Sequence, residues 1–393
     1  MARMNRLGAG ASSRTTEVDV LLVGGGVASA RCARALRRSG FDGSILLATD
    51  EPRAPYNRPP LSKEALRHRV ADELLGAETD AWYERHRVGL LTNESATVMD
   101  AAARTVAFAD GGRVRFGRAL LATGAMPRLL SLPGAEHARS LRTLEDARAL
   151  RAAATRGGRA VIIGGGFIGV EVAWSLTTLG MRVTVIEQTA ALWGGRLGNE
   201  LSGWARDRLE TAGVQILSNS SVSAIEPSRV WAGGEAYDAG LILAAIGVVP
   251  RDGLAASAGL TVDDGIVTDA TQRTSHHAVW SAGDVARMSG RRFEHWHAAR
   301  ESGERAARSM LGLEVASPRP PWVFSDVCGS SVDVVGEASS WDEERWLSDA
   351  LLVYLTARRT VQLAVIGSAL PPERARVLVE EGASVADVRA AMA

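Results

Sequence analysis

The sequence has almost no lysine. Of its 45 Lys and Arg residues only Lys63 is a lysine, in the stretch YNRPPLSKE after a Pro-Pro pair. Cysteine is nearly as scarce. Cys32 and Cys328 stand alone and far apart, which predicts neither a disulfide framework nor a metal site. No uninterrupted apolar run reaches the roughly 18 residues of a membrane span, so a membrane protein is not expected.

An excess of charge of one sign is also missing. The chain has 45 basic and 45 acidic side chains, a formal net charge of +0, and so offers no overall electrostatic basis for binding nucleic acid or an anionic membrane. Residues 1–16 lack the apolar stretch of a signal peptide. We therefore expect a disordered leader at 1–16 and a cytoplasmic protein with reduced thiols. At 393 residues the chain should form two or three domains.

The sequence does contain a strand–glycine–helix pattern. An apolar run at 18–23 is followed by Gly24 and Gly26 and then by a helical stretch, and Asp50 stands 24 residues after Gly26. Such glycines let the backbone approach a pyrophosphate at a helix N-terminus, and the acid accepts hydrogen bonds from the ribose. Ser29 takes the place of the third glycine and is small enough for close helix packing. The pattern predicts a dinucleotide-binding unit.

The same pattern occurs a second time. A strand at 159–163 leads into Gly164, Gly166 and Gly169, and Glu187 follows 21 residues after Gly166. One such pattern is a weak signal because a glycine-rich turn also fits it. Two in register indicate two dinucleotide sites, one for a flavin and one for a nicotinamide nucleotide.

The second site is predicted to take NADH. Glu187 would repel a 2′-phosphate, and the next residue, Gln188, is not basic. Arg182 and Arg196 are near in sequence and could pair with a 2′-phosphate, so NADPH is the less favoured alternative.

Eight motifs occur in a fixed order, namely GGGVAS, YNRPPLSKE, ATGAMPR, LRTLEDA, GGGFIGVEVA, AAIGVVP, SAGDVA and EHWHAA. On these motifs the chain resembles the FAD-dependent pyridine nucleotide-disulfide oxidoreductase superfamily, ferredoxin and rubredoxin reductase type, from about Val18 to Asp326. The resemblance implies an α/β fold with two Rossmann-like domains and a small α+β C-terminal domain. We expect a discontinuous FAD domain at 17–125 and 246–315, an inserted NAD(P)H domain at 126–245, and a C-terminal interface domain at 316–393.

The resemblance also implies which residues bind the cofactors. Those expected at FAD are Gly24, Gly26, Ala28, Ser29, Asp50, Glu51, Arg58, Lys63, Ala96, Ala122, Thr123, Gly124, Arg142, Gly283, Asp284 and Trp296. Those expected at the nicotinamide nucleotide are Gly164, Gly166, Ile168, Gly169 and Glu187, with Gly247 also assigned to cofactor binding.

Lys63 and Glu171 are the predicted catalytic residues. In the family that the chain resembles, the lysine lies beside the flavin and pairs with the glutamate of the second glycine motif, here Glu171. A cation shielded from water favours the reduced flavin, which gains negative charge. Arginine is planar and forked and is not an equivalent point charge, which would explain why one ammonium is retained. The alternative is a surface lysine spared by chance.

Thiol and metal chemistry are not favoured. No cysteine lies between Asp50 and Leu61, where a flavin disulfide reductase would need one. Cys32 falls on the first predicted helix and is interpreted as a small buried core residue. A role for Cys328 is left open. His295 and His297 flank Trp296 at a spacing that points the rings apart on a helix, so no metal site is predicted.

The leading hypothesis is an FAD-dependent NADH:ferredoxin reductase that serves a P450 or a Rieske oxygenase through a [2Fe–2S] ferredoxin. Phe324 stands where the family commonly has Trp, and Val327 replaces a Gln. The resemblance places both departures in the domain that shapes the acceptor side of the flavin. The alternatives are an FAD-dependent oxidoreductase of the same fold acting on a small molecule in a biosynthetic pathway, and a non-enzymatic redox-sensing protein. Both a monomer and a homodimer fit the sequence.

Overall fold

The computed structural model describes residues 15–68 and 70–392. The predicted leader lies outside these residues except for Thr15 and Thr16, which begin the first strand, so for these two the prediction of disorder is wrong. They are ordered because their backbone pairs with the strand that contains Arg113 and Val114.

The strands of the described chain, in chain order, are β1 (Thr15–Val23), β2 (Ile45–Ala48), β3 (Val88–Leu91), β4 (Ala96–Asp100), β5 (Thr105–Phe108), β6 (Arg113–Leu121), β7 (Ala125–Pro127), β8 (Arg159–Ile163), β9 (Arg182–Ile186), β10 (Gln215–Leu217), β11 (Val222–Glu226), β12 (Arg229–Ala232), β13 (Glu235–Asp238), β14 (Leu241–Ala244), β15 (Val248–Pro250), β16 (Ile266–Thr268), β17 (Val279–Ser281), β18 (Ala286–Met288), β19 (Arg291–Arg292), β20 (Trp322–Val327), β21 (Ser330–Gly336), β22 (Glu343–Ser348), β23 (Leu351–Thr356) and β24 (Arg359–Ile366).

The α-helices are α1 (Val27–Arg38), α2 (Glu64–Arg67), α3 (Asp72–Leu75), α4 (Asp80–Arg85), α5 (Leu144–Ala153), α6 (Phe167–Thr178), α7 (Gly198–Thr211), α8 (Gly253–Ser257), α9 (Trp296–Met310), α10 (Pro372–Glu380) and α11 (Val385–Ala390). Short 3-10 turns occur at Pro59–Ser62, Ala135–His137, Leu192–Gly195 and Gly283–Val285. Among the helices described, none is both long and apolar enough to cross a lipid bilayer.

The described residues form two compact units. The first unit contains the described chain up to Asn57, then Ala71–Met126 and Val249–Pro318. The second unit contains the described part of Arg58–Val70, then Pro127–Val248 and the chain from Arg319 onward. The domains expected from the sequence were defined by the cofactor that each would bind, whereas these two units are defined by compactness. The expected domain boundaries therefore stay a prediction.

The first unit is built on a parallel sheet in the order β3-β2-β1-β6, with β17 added parallel to β6. Two antiparallel strands extend this sheet: β5 pairs with the first residues of β6, 113–115, and β4 pairs with β5. Successive residues of β1 point to opposite faces, so Val20 and Leu22 pack in one core and Leu21 and Val23 in another. Burial on both faces is what the apolar run at residues 20–23 of β1 predicts.

The second unit contains a parallel sheet in the order β10-β9-β8-β14 and an antiparallel sheet in the order β11-β12-β13. Its C-terminal part is a five-stranded antiparallel sheet in the order β20-β21-β24-β23-β22. Val334 and Leu352 of this sheet share one hydrophobic core with Val170 of α6 and Leu201 of α7. The predicted α/β class, with two Rossmann-like parallel sheets and an α+β C-terminal part, is confirmed.

Candidate functional site

The first glycine turn lies between β1 and α1, in the first unit. Gly24 has φ +122°, and a Cβ added there would lie 2.0 Å from the carbonyl oxygen of Ala122, so only glycine fits. Gly26 is the N-cap of α1, and no side chain caps that helix. The N–H groups of the first turn are therefore available to a phosphate. Within the described chain the buried hydroxyl of Ser29 has no hydrogen-bond partner.

The acid after β2 has a partner within the first unit. The Asp50 carboxylate accepts a hydrogen bond of 2.7 Å from the Arg251 guanidinium, and the neighbouring Glu51 accepts one of 2.6 Å from the Tyr56 hydroxyl. Thr123, which follows β6 between Ala122 and Gly124, donates to the Arg251 carbonyl at 2.7 Å. Asp50 and Thr123 are thus joined through Arg251, which sequence reasoning did not single out.

Ala96, also assigned to FAD, is half-buried at the start of β4 and packs against the core shared with Val106. The assignment of Ala96 to FAD binding rests on the resemblance alone.

The segment after β17 completes the first unit's candidate site. The Gly283 N–H donates to Ser302 Oγ of α9 at 2.9 Å, and Asp284 follows in the 3-10 turn. A Cβ on Gly283 would lie 3.2 Å from the side chain of Ala28 in α1. The predicted site residues of α1 and of this turn therefore lie together.

Trp296 begins α9, and its indole N–H donates to Asn57 Oδ1 at 2.8 Å. This hydrogen bond fixes the orientation of the indole ring. Asn57 was quoted in its motif but not identified as a site residue.

The second glycine turn lies between β8 and α6, in the second unit. Gly164 has φ +105°, and a Cβ there would lie 2.4 Å from the carbonyl oxygen of Ala245. Gly166 is the N-cap of α6, again without a side-chain cap, and Gly169 follows in the helix. The turn matches the first one in the positive φ of its first glycine, the nearby carbonyl oxygen and the absence of a side-chain cap, whereas Gly169 replaces Ser29. Both turns fit the diphosphate of a dinucleotide.

Glu187 lies at the end of β9, where the sequence predicts the ribose-binding acid. One of its carboxylate oxygens accepts the Gly165 N–H at 2.7 Å, and the other accepts the N–H and hydroxyl of Thr189 at 2.7 and 2.8 Å. The residue is 8% exposed. The carboxylate is therefore held beside the glycine turn in one orientation.

Lys63 and Glu171 form a buried ion pair in the second unit. The Lys63 ammonium lies 2.8 Å from Glu171 Oε1 and donates to the Pro59 carbonyl at 3.2 Å. The Phe324 ring lies 5.6 Å from the ammonium, within the range of a cation–π interaction. The pairing of Lys63 with Glu171 that the resemblance implied is confirmed, and the surface alternative is wrong because both side chains are buried.

Two hydroxyl groups that the sequence analysis missed complete the coordination of Glu171. Ser62 Oγ donates to Glu171 Oε2, and Ser325 Oγ donates to Glu171 Oε1 at 2.7 Å. Ser62 is itself held by Ser175 of α6, whose hydroxyl donates to the Ser62 carbonyl at 2.6 Å. A serine has no distinctive sequence spacing, so only the motif YNRPPLSKE could have drawn attention to Ser62.

Four more of the predicted site residues belong to the second unit, namely Arg58, Arg142, Ile168 and Gly247. The Arg58 guanidinium donates to the Arg142 carbonyl at 2.6 Å, which joins these two predicted FAD residues. Ile168, in the first turn of α6, is 40% exposed, so it offers an apolar surface beside the second glycine turn. The Gly247 carbonyl accepts the Arg128 N–H at 2.9 Å.

Neither cysteine is placed as a redox thiol. Cys32 is buried in α1, and burial raises the pKa of its thiol far above the ordinary value. Burial also raises the pKa of Cys328 to about 11, so little thiolate is present near neutral pH. Both thiols are free, and Cys328 lies in the turn between β20 and β21.

Comparison with known proteins points to the same family as the sequence motifs. Residues 18–303 match the family described as pyridine nucleotide-disulphide oxidoreductase. The chain is 34% identical over 331 residues to the biphenyl dioxygenase system ferredoxin–NAD(+) reductase component of Paraburkholderia xenovorans (strain LB400), covering 81% of each chain. It is 31% identical over 361 residues to the rubredoxin-NAD(+) reductase of Pseudomonas putida, covering 88% of this chain and 92% of that one.

A solved structure is similar over nearly the same length. The reductase fold in the covalent putidaredoxin reductase–putidaredoxin complex matches with a TM-score of 0.88 and 28% identity, over 93% of this chain and 94% of that one. Such relatives imply a flavin and a nicotinamide nucleotide as cofactors, for which the two glycine turns are suited. The chain is therefore an oxidoreductase that belongs to the pyridine nucleotide-disulphide oxidoreductase family.

Proposed function

We propose that this protein is an FAD-dependent NADH:ferredoxin reductase that delivers electrons to a [2Fe–2S] ferredoxin serving a P450 or a Rieske oxygenase. The observation that carries the proposal is the combination of two glycine turns, each followed by a helix without a side-chain cap, with a buried Lys63–Glu171 pair whose glutamate lies on the second of these helices. The names of the relatives, a dioxygenase-system ferredoxin–NAD(+) reductase component and a putidaredoxin reductase in covalent complex with putidaredoxin, support the same acceptor class.

Each nucleotide is bound by its own glycine turn. The N-terminus of α1, after Gly24 and Gly26, binds the FAD diphosphate, and the N-terminus of α6, after Gly164 and Gly166, binds that of NADH. Exposed Ile168 supplies an apolar surface for the nicotinamide. The other assigned FAD and nicotinamide residues keep their predicted roles in this proposal.

FAD held by these residues would supply the redox chemistry, namely hydride uptake from NADH and release of single electrons to a one-electron carrier. The contribution of the protein is electrostatic. Lys63 supplies a fixed positive charge in a site shielded from water, where such a charge stabilises a developing negative charge most strongly. Glu171 keeps the ammonium in place.

The proposal includes NADH rather than NADPH as the donor. Three hydrogen bonds hold the Glu187 carboxylate beside the glycine turn, so it cannot swing away from a 2′-phosphate without losing them. A fixed carboxylate accepts ribose hydroxyls and repels phosphate. The ferredoxin–NAD(+) and rubredoxin-NAD(+) names of the relatives agree with this choice.

Anaerobic titration of the purified protein with NADH and NADPH tests the cofactor part. A flavin spectrum that NADH bleaches at lower concentration than NADPH is the expected result, and a colourless protein that neither nucleotide alters would overturn it. The acceptor part is tested by cytochrome c reduction with NADH, with and without a [2Fe–2S] ferredoxin or a rubredoxin. Turnover that depends on the ferredoxin supports the proposal, and turnover of cytochrome c that the ferredoxin does not increase contradicts it.

A further inference from the structure

We infer that Ser325 is a positioning residue that sets the location of the Lys63 charge through the Glu171 carboxylate. Ser325 belongs to β20 in the C-terminal sheet, far in sequence from both residues. Its effect on the flavin rests on the proposed function, whereas its effect on Lys63 does not. The two are therefore measured separately.

Ser325 and Lys63 bind the same carboxylate oxygen. Ser325 Oγ lies 2.7 Å and Lys63 Nζ 2.8 Å from Glu171 Oε1, while Ser62 binds Oε2. Ser325 is 3% exposed and Glu171 4% exposed, so water does not compete for this oxygen. Without the Ser325 hydroxyl, Lys63 would be the only one of these three donors left on Oε1. The carboxylate could then rotate toward Ser62 and take the ammonium with it.

The residues on either side of Ser325 fix its hydroxyl in place. The Phe324 ring faces the Lys63 ammonium at 5.6 Å, and Asp326 forms a 3.2 Å ion pair with Arg67 of α2. The Lys63 carbonyl in turn accepts the Arg67 N–H at 2.9 Å. Phe324 and Asp326 therefore both bind the short segment that carries Lys63. A shift of β20 would move the Ser325 hydroxyl relative to Glu171.

The scarcity of lysine makes a direct measurement feasible. Because Lys63 is the single lysine in the sequence, ¹³C/¹⁵N-lysine labelling gives one side-chain ammonium resonance in an NMR spectrum. The rate at which its protons exchange with water reports how firmly the ammonium is held. This readout requires no electron acceptor.

The variants are Ser325→Ala, Ser325→Thr and, as a matched control, Ser331→Ala on the neighbouring strand, where the side chain is exposed. Ser325→Ala should exchange the ammonium protons roughly tenfold faster, as expected for the loss of one hydrogen bond to a charged group. Ser325→Thr retains the hydroxyl and should restore slow exchange, and Ser331→Ala should match the wild type. Should Ser325→Ala not fold, Ser325→Cys keeps the volume with a much weaker donor and should show the same faster exchange.

The flavin midpoint potential is the second readout. A displaced Lys63 charge stabilises the reduced flavin less, so Ser325→Ala should have a potential more negative by about 30 mV, a tenfold change for a two-electron couple. Equal exchange rates in Ser325→Ala and wild type would overturn the positioning role. Faster exchange with an unchanged potential would overturn its effect on the flavin. A wild-type protein that NADH does not reduce would instead refute the proposed function and leave the exchange result valid.

Discussion

Lys63 Nζ lies 2.8 Å from Glu171 Oε1, and both side chains are more than nine-tenths buried. Removing one partner of such a pair leaves an uncompensated buried charge, which typically costs about 3–5 kcal/mol. We therefore expect Glu171→Gln to lower the free energy of unfolding by about 3 kcal/mol, measured by urea denaturation of the apoprotein. The double variant Lys63→Met/Glu171→Leu removes both charges and should recover most of the loss. A Glu171→Gln protein as stable as wild type would show that the pair is not buried as described.

Lys63→Arg keeps the positive charge but changes its shape. The guanidinium is larger and planar, and it cannot occupy the position of the ammonium between the Pro59 carbonyl and Glu171. FAD should remain bound, while flavin reduction by NADH slows roughly tenfold, equivalent to about 1.4 kcal/mol in the barrier. Anaerobic stopped-flow measurements test this, with flavin content measured on the same samples. An unchanged rate at full flavin content would contradict the assigned role of Lys63.

Substitutions in the two glycine turns should impair two different functions, flavin binding and the response to NADH. Gly24→Ala places a Cβ against the Ala122 carbonyl, and Gly164→Ala places one against the Ala245 carbonyl, both at positive φ. Gly24→Ala should be purified with little flavin. Gly164→Ala should keep its flavin and lose its response to NADH. Absorbance spectra and NADH titration distinguish the two outcomes.

Gly203→Ala is the matched control for these substitutions. A Cβ at Gly203 would meet open space, and this residue lies within α7 at an ordinary φ. Alanine favours a helix over glycine by about 1 kcal/mol, so this variant should be at least as stable as wild type and fully active. If Gly164→Ala behaved like Gly203→Ala, the second turn would not be the NADH site.

Stability should fall in mild acid because of His276 in the first unit. Burial, followed by the neighbouring His277 and Arg104, lowers the pKa of His276 below its ordinary value of 6.5. His276 Nδ1 accepts the Ala278 N–H at 3.3 Å, which requires the neutral ring. A depressed folded-state pKa means that the unfolded chain binds the proton more readily. The stabilisation is therefore complete above pH 6.5 and is lost as the pH falls below it.

Thermal melting between pH 5 and pH 8 measures this effect. The melting temperature of the wild type should decrease below pH 6.5, and that of His276→Gln should decrease less over the same range. His277 contacts Arg104 at 2.9 Å and is exposed, so His277→Gln serves as the comparison. Parallel pH profiles for wild type and His276→Gln would show that another group is responsible.

Local sequence patterns predicted the framework of both nucleotide sites. The strand of the second glycine pattern was predicted at the residues where β8 lies, Arg159–Ile163. This prediction was possible because a buried parallel strand and the glycines after it occupy consecutive residues of the sequence. The residues that complete the sites come from elsewhere in the chain. Ser325 is 154 positions from Glu171, and Arg251 is 201 positions from Asp50. Neither contact leaves a periodic trace in the sequence, since both depend on the tertiary packing of separate segments.

The binding of β20 to the Pro59–Arg67 segment restricts how this protein can be recombined with its relatives. Phe324, Ser325 and Asp326 each contact a different group, the Lys63 ammonium, the Glu171 carboxylate and the Arg67 guanidinium. A chimera that exchanges only the C-terminal sheet would join a foreign strand to the resident lysine. Transplanting the sheet together with residues 59–67 preserves the contacts to Lys63 and Arg67, and the Ser325 hydrogen bond is kept as well when the glutamate at position 171 of α6 is present.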